Sequence, residues 1–179
     1  MRLLLVYPGP LFSTFDVTNG YMRAFKRNED IKLFTFHLEN ALAYHSYAQK
    51  VMLGKKYSQD QITLTASDDI LVKIIKCRPD WVLFISGIAF PTVTWGYVKQ
   101  LQQDLKREFK TAVLLTESPY IDNWEMGIIK GVDAAFTTDY SIIPQYKEVN
   151  ENLFYIRHAY DAQVHYRASN PRDVDIFMV

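Results

Sequence analysis

Glu117 stands in the run Thr116-Glu117-Ser118-Pro119-Tyr120, directly after the apolar residues 112–115. A carboxylate there can accept hydrogen bonds from ligand hydroxyls or act as a base toward one, since a general base needs only reach and a suitable pKa. It can equally accept backbone N–H groups and hold a proline-containing turn. Asp139 closes a second run of this kind, Thr137-Thr138-Asp139, after residues 133–136. A helix start follows it, so Asp139 is either a ligand-facing carboxylate or an N-terminal cap and dipole partner. Pro8 and Gly9 follow the apolar residues 2–7, and Ser86 and Gly87 follow residues 81–85. Glycine after a buried strand lets backbone approach a ligand closely. Tyr120, with Trp95, Tyr97 and Trp124, offers either a stacking face for a sugar or ordinary core packing. His158, Asp161 and His165 fall in residues 157–172, which show no clear period. His37 and His45 are the only other histidines, and no metal-ligand spacing results.

The elements that must position these residues alternate. Residues 2–7, 31–37, 81–85, 112–115, 133–136 and 153–156 read as strands, and residues 173–179 start another. Between them, Thr14 or Asp16 caps a helix to about Arg27, and residues 39–53 keep helical spacing. Residues 54–63 are polar and predict a loop, after which Ser67 and Asp68 cap a helix over 69–77. Arg78-Pro79-Asp80 ends it, because proline cannot continue a helix. Thr92 opens a helix to about Phe109, residues 124–130 form a short one, and Ser141 caps residues 142–149 with Pro144 in the first turn. This strand–helix alternation predicts an α/β fold, a Rossmann-like three-layer sandwich with a mainly parallel sheet of about six strands. Ligands of such sheets collect outside the carboxyl ends of the strands, where the residues above lie.

Several classes are set aside by composition. With 179 residues, 49% apolar and 22% charged, the chain is an ordinary globular domain rather than a disordered one. Twenty basic residues balance twenty acidic ones, so no general nucleic-acid or anionic-membrane surface is expected. A single cysteine, Cys77, gives no disulfide framework and fits a reducing cytoplasm. Pro8-Gly9-Pro10 cuts short the apolar start, and no run nears the roughly 18 apolar residues that span a bilayer. Ser-His-Asp order, CxxC, HExxH, the Walker loop and GxGxxG are all missing.

The order of motifs carries a family likeness. RPDWVLF, TESPY, DAAFTTD, DAQVH and DVDIFMV resemble, in that order, the amino-terminal half of CgeB-like glycosyltransferases, GT-B enzymes named for a spore-maturation protein. The family shows a strand ending in T-E-x-P-Y, then a strand ending in T-x-D. A D-x-x-x-H arrangement and a D-V-x-F-V-G strand follow. Thr116 to Tyr120, Thr137 to Asp139, Asp161 with His165, and residues 173–179 match these elements, and the likeness covers roughly residues 79–179.

The resemblance implies that residues 1–172 are the acceptor-side domain of a GT-B enzyme and residues 173–179 the start of a second domain, or an added edge strand. The implied reaction moves a sugar from a nucleotide-sugar donor to a carbohydrate or glycosylated acceptor. A carboxyl-terminal GT-B domain holds the donor, and the isolated chain is inactive. No cofactor or metal is needed, because helix N-termini and basic side chains offset the leaving diphosphate. Glu117 is then the catalytic candidate, and Pro8, Gly9, Ser86, Gly87, Tyr120, Asp139, His158 and Asp161 are the substrate-binding candidates. Two rivals stand beside this reading: a non-catalytic α/β regulatory or binding module, and a degenerate transferase serving as a structural partner. A receiver module in particular needs an acidic cluster after the first strand and a phosphoacceptor aspartate after the third, and Tyr7-Pro8-Gly9 and Ser86-Gly87 supply neither.

Overall fold

Leu3, Leu4, Leu5 and Val6 leave the first strand with no polar face, and a parallel strand of that kind must be covered on both sides. All four are buried in β1 (Arg2–Tyr7), which lies between β2 (Lys32–His37) and β3 (Trp81–Ile85). The computed structural model describes residues 1–9, 14–54, 57–86, 92–105, 108–159, 161 and 164. β4 (Lys110–Leu115), β5 (Ala134–Thr137) and β6 (Leu153–Tyr155) complete a six-stranded sheet in the order β2-β1-β3-β4-β5-β6. Every neighbouring pair is parallel. The mainly parallel sheet expected from the alternation is thus wholly parallel among the described residues. Residues 173–179 lie outside them.

Strand side chains alternate between two faces. Leu4, Val6, Val82, Phe84, Val113, Leu115 and Ala135 share one core with Ala66, Ile70 and Ile74 of α3 (Gln59–Cys77). Trp95 and Val98 of α4 (Thr92–Asp104), Ile128 and Ile129 of α5 (Asp122–Ile129), and Tyr146 of α6 (Ile143–Lys147) extend it. The step from β1 to β2 runs opposite to every later step along the sheet. Right-handed crossovers therefore put α1 (Phe15–Arg27) on the other face from α2 (Leu38–Met52) and the later helices. The result is a Rossmann-like α/β layer structure.

One reading of the sequence is corrected. Residues 59–63 are not loop: α3 starts at Gln59, and Ser67 and Asp68 lie in its interior rather than at its cap. Residues 59–65 are polar because this stretch shows solvent all but one narrow stripe, with Ile62 and Ala66 in line with Ile70 and Ile74. The start signal is Ser58, three residues before Gln61. Its hydroxyl accepts from the Gln61 N–H at 3.3 Å, while Gln61 Oε1 accepts from the Ser58 N–H at 3.0 Å, a reciprocal capping box. Ser67 instead bonds the Thr63 carbonyl at 2.9 Å and Thr94 Oγ1 at 2.7 Å, pinning α3 to α4.

Smaller differences fall at element ends. α4 stops at Asp104 rather than near Phe109, which is buried just before β4. Ser141 caps no helix; α6 begins at Ile143, with Pro144 in its first turn as expected. Arg78 does end α3, in the left-handed conformation with φ 45°. Cys77 is buried. Trp95 packs against Phe84 with ring centroids 4.5 Å apart and offers no stacking face to a ligand.

Candidate functional site

The two ends of the sheet are finished differently. At the amino end, several polar groups are engaged by more than one bond. Asp80 Oδ2 accepts from the Arg2 N–H at 2.7 Å, and the Arg2 guanidinium donates to the Cys77 and Arg78 carbonyls, closing the last turn of α3. Asp133 Oδ2 accepts from the Thr111 N–H at 2.7 Å, the Thr111 hydroxyl at 2.9 Å and Gln102 Nε2 at 2.9 Å. Asn150 donates to the Ile129 and Val132 carbonyls at 2.8 and 3.0 Å.

At the carboxyl end, buried polar groups are left over. Ser86 is 3% exposed and Thr14 5%, and neither side-chain oxygen has a hydrogen-bond partner among the described residues. His37 Nε2 is buried and equally without one. Gln49 Oε1 shares this condition but lies 11 residues into α2, about 17 Å along it at ~1.5 Å per residue. A buried hydroxyl that forgoes a hydrogen bond costs about 1–3 kcal/mol. Three such atoms at one sheet end mark the place where a ligand can repay that cost.

The strand order says why they gather there. β2 lies to one side of β1 and β3 to the other, so the chain reverses direction between β1 and β3, the position where open α/β sheets open a crevice. Val6 pairs with Phe84, which sets Pro8 level with Ser86 across the two strand ends. Ser86 itself turns out of the ladder with φ 63°, after its N–H donates to the Leu114 carbonyl at 2.8 Å. Gly9 has φ +146°, and a Cβ there would lie 2.2 Å from Glu39 Oε2 and 2.5 Å from His37 Nε2. Only glycine lets this turn settle onto the end of β2. Tyr7 stacks on His37 with centroids 5.0 Å apart and planes at 22°. Thr14 opens α1 without a side-chain cap bond. Gly87 lies outside the described residues.

One strand further along, Glu117 sits half-buried after β4. Its Oε1 accepts from the Thr116 hydroxyl at 3.1 Å, while Oε2 has no bond among the described residues. The Ser118–Pro119 peptide bond is cis. Behind the turn lies Glu125, a fully buried carboxyl. Its Oε1 accepts from the Glu117 N–H at 3.3 Å and its Oε2 from the Tyr146 hydroxyl at 2.9 Å. Burial pushes this carboxyl above the ordinary glutamate range against the opposing pull of those two hydrogen bonds. Burial and the neighbouring Glu125 charge push the Tyr146 hydroxyl up in turn. The catalytic candidate is thus held by its backbone, from behind, by a second carboxyl.

Asp139 is engaged on both oxygens. Oδ1 accepts from the Ser141 N–H at 2.8 Å and hydroxyl at 2.6 Å, and Oδ2 from the Ser118 hydroxyl at 3.2 Å. The Ser141 hydroxyl and N–H bonds, aided by Ser118, hold its carboxyl below the usual aspartate range. It ties the loops after β4 and β5 together rather than capping a helix. Tyr120 is 88% exposed. His158 is exposed. The Asp161 side chain is 8% exposed and paired with Arg23 and Arg27 of α1, Arg27 Nη2 lying 3.6 Å from Oδ1. His165 lies outside the described residues.

The fold therefore brings Pro8, Gly9 and Ser86 together at the switch point, and Glu117, Tyr120 and Asp139 together one to two strands away. Asp161 faces α1 instead. Sequence reasoning missed Thr14, His37 and Glu125 as members of the edge. Thr14 and His37 stood next to predicted strand and helix ends, which was their only signal. Glu125 had none, since an acidic residue in a short helix reads as solvent-facing.

No known protein family matches the chain, and no curated relative does. A solved structure, the UDP-GlcNAc 2-epimerase from Neisseria meningitidis bound to UDP-GlcNAc, is similar with a TM-score of 0.55 at 9% identity, over 87% of this chain and 45% of that one. This chain spans less than half of that protein's length. At such identity the likeness carries the fold, a GT-B-like Rossmann domain. No helix among the described residues is long and apolar enough to cross a membrane.

Proposed function

We propose that this chain is the acceptor-side domain of a GT-B glycosyltransferase of the CgeB-like kind, working with a second domain that holds the nucleotide-sugar. The observation that carries the reading is the group of buried polar side chains, Ser86, Thr14 and His37, left without a hydrogen-bond partner among the described residues at the β1–β3 switch point. The motif order and the fold shared with a nucleotide-sugar-bound protein support it.

In this reading the hydroxyls of Ser86 and Thr14 bind acceptor hydroxyls at the crevice, beside the close backbone of Pro8 and Gly9. Glu117 Oε2 takes the proton of the attacking hydroxyl. Gly87 and His158 stay as substrate-binding candidates, and Asp161 positions the chain after β6 rather than touching substrate.

Transfer from UDP-GlcNAc and UDP-glucose to oligosaccharide acceptors tests it, assayed on residues 1–179 and on the full gene-encoded polypeptide. Transfer is expected only from the longer protein, and Glu117→Gln is expected to lower its kcat by about 100-fold or more. Full activity from residues 1–179 alone overturns the need for a donor domain. No transfer or donor hydrolysis by the full polypeptide overturns the transferase and favours a binding module.

A further inference from the structure

Tyr120, Tyr140 and Tyr155 lie at or just past the carboxyl ends of β4, β5 and β6, three neighbouring strands. Tyr120 is 88% exposed, Tyr140 73% and Tyr155 41%. The Tyr140 and Tyr155 rings meet edge to face at 85° with centroids 5.5 Å apart, so each fixes the other as one side of a corner. The Ser118 hydroxyl, two residues before Tyr120, donates to Oδ2 of Asp139, the residue before Tyr140, at 3.2 Å. That oxygen takes one hydrogen bond among the described residues and has capacity for another.

Open aromatic faces set around a fixed carboxylate and two serine hydroxyls have a clear complement. A sugar ring presents an apolar C–H face to an aromatic ring and hydroxyls to a carboxylate. A protein partner matches less well, since the buried centre of a protein interface is depleted in charge, and here a carboxylate stands amid the rings. The distance from β4 to β6 is two strand steps, about 10 Å at ~4.8 Å each, so a ligand touching all three tyrosines is longer than one ring.

We propose that Tyr120, Tyr140 and Tyr155, arranged around Asp139 and Ser118, form a stacking platform for a neutral glycan of more than one sugar unit. The platform gives the acceptor of the proposed transferase its chemical class, and its acceptor role rests on that reading. The acceptor chain lies along the strand ends from the platform toward Glu117 and Ser86, so its reacting hydroxyl and its recognition are separated.

Tyrosine-ring NMR of the full chain, titrated with cellohexaose, maltohexaose and 1,6-hexanediol, tests this without any donor. The rings of Tyr120, Tyr140 and Tyr155 are expected to shift with at least one of the glycans and not with the diol. Tyr140→Ala and Tyr155→Ala should each weaken binding by about 2- to 12-fold. Tyr140→Phe should retain it, and Tyr44→Ala, an exposed ring on α2, should leave it unchanged. The proposal is overturned by rings that stay silent to the solubility limit of both glycans or respond equally to the diol. A dimer in sedimentation that Tyr140→Ala dissociates also overturns it, and assigns the face to a second copy. Ring shifts without sugar transfer leave the platform standing and remove the transferase; transfer without ring shifts does the reverse.

Discussion

Glu125 shows how much one residue can hide from a sequence. It lies in a helix of eight residues, between Trp124 and Met126, and nothing in that neighbourhood distinguishes it from a solvent-facing acid. Folding buries it under Tyr146 and against the backbone of Glu117. Its folded carboxyl titrates above the ordinary 4.5. Between 4.5 and that higher value the native state holds a proton the unfolded chain has released, so this group's contribution to stability is complete below pH 4.5 and is lost as pH rises through the folded value. Glu125→Gln keeps the shape and removes the titration. Urea midpoints between pH 4 and 8 are therefore expected to fall less steeply with pH in the variant, and an unchanged slope would refute the assignment. Gly9 is a second residue whose role needs the fold. With φ +146° and Glu39 and His37 pressed against it, Gly9→Ala is expected to cost about 1–3 kcal/mol in denaturant unfolding.

At the scale of elements, α3 separates a pattern from a composition. A polar stretch before an apolar one reads as loop then helix, yet the polar part is the first two turns of a helix lying along the outside of the core. Ser58 and Gln61 were the legible signal, because a reciprocal cap needs only those two residues three apart. The two readings predict opposite mutants. With α3 beginning at Gln59, Ser58→Ala is expected to cost about 1 kcal/mol and Asp68→Ala, on an exposed helical position, close to nothing. A helix beginning at residue 69 would reverse that order in thermal or denaturant midpoints. The strands needed no such arbitration: their apolar runs fixed them within one or two residues, since a strand buried on both faces has no polar position to confuse its limits.

Across the whole molecule, the chain after β6 crosses back to α1. Asp161, past β6, is held there by Arg23 and Arg27 of α1, a helix that follows the first strand. Arg23→Ala removes the nearer of the two arginines paired with a largely buried carboxylate and is expected to cost about 1–3 kcal/mol. It should also speed tryptic cleavage after the exposed Arg157. Unchanged stability and cleavage would show the tie to be idle.

Residue types and spacing alone determined the α/β class, the strands and the loops that carry polar groups, because hydrophobic periodicity is local and reports which faces must be covered. They did not determine strand order, which depends on crossovers between residues far apart in the chain. Only the tertiary structure put Pro8 level with Ser86 at the switch point, buried Glu125 behind Glu117, took Trp95 and Asp161 away from the edge and brought Tyr140 onto Tyr155. Each of those is a contact across elements, set by packing and by the cost of burying a polar group, and no run of neighbouring residues encodes it.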